Sequence, residues 1–412
     1  MTMAYILAVN PSILGDAGMD KGAVFTATAL SAVIATLVMA LVARLPFALA
    51  PGMGLNAFFA YTVVLTMGYS WQFALTAVFL EGIIFLILTA FNVREMIVNA
   101  IPENIRYSIS VGIGLFIAFI GLKNAGIIVD HPATLVTLGK MTDPSVILAM
   151  LGIFIIGILL VLKVRGALLI GILAATVIGI PMGLTHLPDG HNYIKMPPSL
   201  DPIFFQFDWE NIFSINMLVV LFTFLFVDMF DTVGTLIGVS TKADMLDKNG
   251  KIPRVKQALF ADAVGTTVGA MLGTSTVTTY VESASGVAEG GRTGLTSLST
   301  AILFALALVF APVFLMIPPA ALSPVLVVVG LFMMSPVKNI NLDDFTEAIP
   351  AFMTIILMPL TYSIAEGIIF GLLAYVLLKI FTGKFKELSP LMYILAILFF
   401  VKLWGAAFSA FF

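Results

Sequence analysis

Polar residues are sparse along this chain and fall in short clusters, with long apolar runs between them. A helix that crosses the ~30 Å hydrocarbon core of a bilayer needs about 20 predominantly apolar residues. Runs of that kind occupy residues 23–43, 71–91, 108–122, 145–162, 167–181, 214–238, 295–316, 321–334, 364–381 and 391–411. Less regular ones cover 47–66, 255–272, 276–290 and 347–362. The opening run, 1–14, is too short to span, and the sequence reads as starting partway through its first membrane segment. No basic stretch precedes that run, so a signal peptide is not expected. The pattern predicts an all-α polytopic membrane protein with 14 transmembrane segments up to residue 381. An extra C-terminal apolar helix, 388–412, follows, and the pattern does not say whether it spans.

Composition sharpens this reading. Of 412 residues, 60% are apolar and 10% charged, with a mean hydropathy of +1.10. A soluble domain is about 45–50% apolar and about 25% charged, so this chain lacks the polar surface to cover itself in water. The formal net charge of −3 and the lack of a basic patch argue against a nucleic-acid partner. With no cysteine and three histidines, no disulfide framework or thiolate site is possible, and neither a metal centre nor a cofactor is implied. Alternating sides from a cytoplasmic start places Lys21, Lys123, Lys140 and Lys195 outside and leaves Lys402 in the last apolar run. The other 15 of the 20 basic residues then face the cytoplasm, the bias expected of an inner (cytoplasmic) membrane protein.

The irregular segments carry the functional signal. Residues 46–57, PFALAPGMGLNA, and 273–286, GTSTVTTYVESASG, both begin extended and then turn helical near Gly54 and Ser283. Non-helical backbone at membrane depth is tolerated only inside protein or beside a cavity. Paired breaks in corresponding places of two halves point to a transporter binding site. These are the third and tenth segments, seven apart, which predicts two inverted repeats of seven.

Acidic residues within the apolar runs are the second signal: Glu81, Asp228, Asp231, Asp262, Glu282, Glu289 and Glu366. A carboxylate at membrane depth costs about 2.5–3.5 kcal/mol on insertion scales and marks a candidate functional site. With Lys and Arg at segment ends, these acids are expected to lack basic partners. Glu282 opens the half-helix after the strand-like TTYV. Asp228 and Asp231 are three apart and share a helix face, which Thr235 extends. Asp262 reads as a packing hydrogen bond to a neighbouring helix, and Glu81, Glu289 and Glu366 as interfacial.

The stretches TMAYILAVNPSIL (2–14), LPFALAPGMGLNAFFAYTVV (45–64), FVDMFDTVGTLIGVS (226–240), GTSTVTTYVESASGVAEGGRTGLT (273–296) and LSPVLVVVGLFMM (322–334) resemble the AzgA-like hypoxanthine/guanine/adenine permeases of the nucleobase/ascorbate transporter superfamily. The resemblance implies a core domain from residues 1–93 and 214–316 and a gate domain from 94–213 and 317–387. It also implies a homodimer formed through the gate. In relatives the base lies between segments 3, 8 and 10, held by one carboxylate each from segments 8 and 10; the matching positions here are Asp231 and Glu282. This chain carries the shorter aspartate on segment 8. It also has Thr235 where distant relatives have a histidine, which removes a histidine proton relay.

A purine suits these residues on chemical grounds as well. Carboxylates accept its N–H groups, and free backbone N–H groups at a half-helix start, near Leu55 and Ser283, donate to a carbonyl. Asn56, Thr279 and Ser283 offer further hydrogen bonds, or serve as glue between helices. Phe58, Phe59, Tyr61 and Tyr280 offer aromatic faces. Carboxyls in a low-dielectric cavity can carry a proton near neutral pH. The expected function is therefore purine import by proton symport, with Asp231 as proton carrier, Glu282 as chief ligand, and Asp228 and Asp262 as further proton-coupling candidates. The alternatives are an anion or other small-solute transporter of the same fold, or a membrane enzyme using Asp228 and Asp231 as a metal pair. Carboxylates repel anions, and the second acidic motif and the bases such an enzyme needs are absent.

Overall fold

The computed structural model describes residues 2–91, 102–188, 192–242, 254–397 and 399–400, with Met245 and Ile252. Arg94, Lys248, Lys251 and Lys402, and residues 401–412 of the expected C-terminal helix, lie outside the described residues. In chain order the elements are α1 (Ile6–Asp16), α2 (Lys21–Val38), β1 (Leu49–Pro51), α3 (Met53–Ala57) and α4 (Trp71–Ala90). Then come α5 (Glu103–Asn124), β2 (Ile128–His131), β3 (Leu135–Leu138), α6 (Pro144–Val161), α7 (Ala167–Gly179), α8 (Ile215–Lys242) and α9 (Val255–Leu272). The last are β4 (Val277–Thr279), α10 (Ser283–Ala288), α11 (Gly294–Ala307), α12 (Ala311–Leu315), α13 (Pro319–Met333), α14 (Phe345–Leu360) and α15 (Ile364–Phe381).

Seven described helical stretches are long and apolar enough to cross a bilayer, and four shorter apolar ones accompany them. Their outer faces are apolar too. On α6, Leu151, Phe154, Ile158 and Val161 recur at helical spacing and stand exposed, Val161 at 81%. A stripe of that kind belongs against lipid, not water. The protein is a multi-pass membrane protein.

Chain contacts divide the protein into two compact units, residues 1–91 with 120–328 and residues 92–119 with 329–412. The second is built on the α14–α15 hairpin. There Lys379 is 2% exposed in its side chain and makes ion pairs with Glu347 at 2.8 Å and Glu387 at 2.6 Å. Asp344 caps α14, and the Lys384 ammonium 2.6 Å from it holds its carboxyl below the usual carboxylate range.

The first unit is organised around two three-residue strands at the expected breaks. Strand β1 pairs antiparallel with β4: Leu49 opposite Thr279, Ala50 opposite Thr278 and Pro51 opposite Val277. One hydroxyl seats the first residue of each strand. Thr36 of α2 donates to the Leu49 carbonyl at 3.1 Å and accepts from its N–H at 3.0 Å. Thr266 of α9 treats Val277 in the same way, at 3.1 Å and 3.2 Å. These contacts satisfy backbone groups that so short a ladder leaves over. After its strand, β1 turns into α3, which runs on as a wider π-helical stretch to Thr66, while β4 leads into α10. Helix α9 stops where Gly273 turns left-handed at φ +96°, delivering the chain to β4. Helix α4 lies so close to α9 that a methyl group on Gly82 would sit 2.7 Å from the Thr267 backbone nitrogen.

A β-hairpin, β2 with β3, was not expected from the sequence. Nearly all of its strand residues are exposed, so its short strands offer no buried face to read.

Candidate functional site

The segment from Thr274 to Thr278 carries a hydroxyl at four of five positions, and each position is tied to a different part of the first unit. Thr274 accepts from Asn10 of α1 at 2.9 Å, while the same amide donates to Thr28 of α2 at 2.8 Å. Ser275 donates to the Asn56 side chain of α3. Thr276 donates to Glu81 of α4 at 2.6 Å. Val277 is held by Thr266, and Thr278 lies beside Asp231 of α8. This explains why the sequence is so rich in Ser and Thr here: an extended strand inside a helical protein must have its surroundings tied down by side chains.

The strand then delivers Tyr280 and Glu282. The Tyr280 hydroxyl donates to the Pro51 carbonyl, fastening β4's exit to β1's end. Glu282 is the residue before α10, half-buried, with its side chain not used as a cap. Its Oε1 accepts from the Tyr5 hydroxyl at 2.7 Å. The Tyr5 and Tyr280 rings lie 6.4 Å apart, tilted at 45°. Asp231, also half-buried, feels the charges of Glu282 and Asp262. The expected pair, Asp231 from segment 8 and Glu282 from segment 10, is therefore brought into one neighbourhood, with Tyr5 of the first segment added.

The other expected residues divide. Asn56 is fully buried, accepting from Ser275 and donating to Pro51 at 3.4 Å, so it braces the β1–α3 turn. The Ser283 hydroxyl accepts from the Ala48 N–H at 3.0 Å, also a brace. Leu55 is buried in α3, and Thr235 is buried one turn beyond Asp231. The Thr279 hydroxyl is buried with no hydrogen-bond partner among the described residues, and strand alternation puts it on the side of Leu49 and Val277, opposite Thr278. Phe58 is not free for stacking; it packs edge-on against Phe224 at 4.8 Å.

Several expectations are corrected. Asp228 and Asp231 lie next to different hydroxyls. Asp228 lies 3.0 Å from the Thr232 hydroxyl, which is also 2.8 Å from Asp262, whereas Asp231 meets Thr278. A three-residue offset on a helix leaves enough rotation for the two to meet different neighbours. Glu81 is not interfacial. It is fully buried in the middle of α4, next to the strand segment. Glu289 does have a basic partner, Arg165 at 2.8 Å. Sequence reasoning missed Tyr5, Thr232, Thr276 and Thr278. Only Tyr5, a phenol in the apolar run MTMAYILAV, stood out as a signal.

A model of a permease family matches residues 1–370. The adenine permease AdeP of Escherichia coli (strain K12) is 45% identical over 403 residues, which are 98% of this chain and 90% of that protein. The guanine/hypoxanthine permease PbuG of Bacillus subtilis (strain 168) is 46% identical over 411 residues, 97% of this chain and 92% of that one. Among solved structures, the transmembrane domain of a cyanobacterium bicarbonate transporter, BicA, superposes with a TM-score of 0.65 at 16% identity. The match covers 88% of this chain and 94% of that domain, and it shows a shared fold.

Proposed function

Since the chain belongs to the permease family, we propose that it imports purine nucleobases across the cytoplasmic membrane, driven by a proton gradient. The base lies between the β1–α3 break, α8 and the β4–α10 break, which correspond to segments 3, 8 and 10. The observation that carries this reading is the approach of Asp231 and Glu282 to one another beside Tyr5 and Tyr280. Two carboxylates suit a neutral, planar ring rimmed with N–H donors, and they disfavour an anion. The matching names of the adenine and guanine/hypoxanthine permeases supply the substrate class.

Proton coupling is supported by a count of protons. Thr232 has one hydroxyl proton and two acidic contacts, Asp228 at 3.0 Å and Asp262 at 2.8 Å. It can donate to only one of them; the other contact is a hydrogen bond only if that aspartate carries a proton. The trio is therefore a ready-made proton station, and its Asp262 is electrostatically linked to Asp231. In this account Glu282 is the chief ligand, and Asp231 joins the ligand site to the proton station.

The matching Thr36–Leu49 and Thr266–Val277 clamps support a 14-segment plan of two inverted repeats. On that plan a core (residues 1–93 and 214–316) moves against a gate (94–213 and 317–387), through which two copies pair as a homodimer. Equilibrium binding to the purified protein tests the site. Wild-type protein should bind hypoxanthine, guanine or adenine, and Glu282→Gln and Asp231→Asn should each weaken binding at least about tenfold, equivalent to about 1.4 kcal/mol. Unchanged affinity in either variant removes that residue from the site.

A further inference from the structure

Away from the carboxylates, the first unit contains a cavity of about 220 Å³ whose wall includes Val9, Ser12, Asp16, Tyr61, Asn124 and Ser323. Its polar side is already organised. The Tyr61 hydroxyl donates to Asp16 Oδ2 at 2.9 Å and accepts from Asn124 Nδ2 at 2.9 Å. Tyr61 is 3% exposed, while Asp16 and Asn124 are exposed, so the cluster is anchored inside and opens outward.

The position of the cavity gives it meaning. Tyr5, Val9, Ser12 and Asp16 follow one another at i, i+4, i+7 and i+11, which puts them on one face of the first helix over about 16 Å. The foot of that stripe is Tyr5, bonded to Glu282, and its head is the cavity. The third segment repeats the arrangement, with Pro51 receiving Tyr280 below and Tyr61 reaching Asp16 above. The cavity thus lies on the line leading away from the carboxylates toward the Asp16 end of the helix. The lysine and arginine bias puts that end outside the cell.

We propose that this cavity is an outer reception site that takes the same class of solute, a neutral planar heterocycle, before it reaches Asp231 and Glu282. The inference rests on the nucleobase reading above. Asp16 accepts a ring N–H, and the Asn124 amide offers a donor and an acceptor side by side, the complement of a lactam or amidine edge. The Asp16 carboxylate turns anions away. Drug-sized ligands occupy about 300–1,000 Å³, so 220 Å³ suits a smaller, bicyclic guest.

The chain has no cysteine, so Ser12→Cys introduces a unique thiol. A membrane-impermeant maleimide applied to intact cells should label it, and saturating hypoxanthine should slow labelling several-fold. That protection should persist when Glu282→Gln is added to empty the deeper site. Labelling that hypoxanthine does not slow, protection lost with Glu282→Gln, or labelling seen only from the cytoplasmic side each overturns the outer site. Absence of purine uptake by the unmodified chain counts instead against the nucleobase reading. Independently, Tyr61→Phe should raise KM for uptake several-fold at an unchanged maximal rate per folded molecule; a lowered maximal rate at unchanged KM assigns Tyr61 a purely structural role and contradicts the proposal.

Discussion

Tyr5 and Thr232 each hold a carboxyl through a single hydroxyl, and each can be tested without changing the shape of its side chain much. Tyr5→Phe removes the 2.7 Å bond to Glu282 and leaves the ring. The carboxylate then gains a free lone pair and loses its fixed orientation. Purine affinity should change by about 3- to 10-fold, in line with the ~0.5–1.5 kcal/mol of an ordinary hydrogen bond. Equal affinity in both proteins, measured by calorimetry, contradicts a role for Tyr5. Thr232→Val removes the bridge between Asp228 and Asp262. Purine–purine exchange should survive in this variant while gradient-driven accumulation collapses, and Thr232→Ser should restore accumulation. Carboxyls in apolar runs are visible in sequence because burial of their charge demands an explanation, and so Asp231 and Glu282 were legible. Hydroxyls were not, because a Ser or Thr in a membrane helix commonly bonds its own backbone four residues back, as Thr28 and Thr76 do here. Nothing local distinguishes Thr232, which bonds across to another helix.

Elements show the same division between local and long-range information. The breaks at 46–57 and 273–286 were legible from Pro, Gly and β-branched residues, and β1 and β4 form there. Their pairing joins residues more than 200 positions apart, which no local pattern specifies. The close crossing of α4 and α9 was equally invisible, although it sets where Glu81 meets Thr276. Gly82 makes that crossing possible, since an added methyl would meet the α9 backbone itself. Gly82→Ala should therefore cost about 1–3 kcal/mol, the usual range for overpacking. The check is the temperature at which the detergent-solubilised protein aggregates; an unchanged midpoint contradicts the crossing.

On the scale of the whole molecule, the few charged residues separate into roles. Some close ion pairs, as Lys379 does with Glu347 and Glu387. Within this multi-pass membrane fold Glu81 is bonded to the strand segment, Asp228 and Asp262 meet at Thr232, and Asp231 feels the charges of both Asp262 and Glu282. That class of architecture was legible from hydropathy alone, whereas the grouping of the acids needed the fold. The most direct test is uptake of radiolabelled hypoxanthine into proteoliposomes under an imposed pH gradient, acidic outside. The account predicts accumulation above the external concentration that a protonophore abolishes, and Glu282→Gln vesicles should remain at background. Uptake of the same rate and extent with or without the gradient and the protonophore would contradict it.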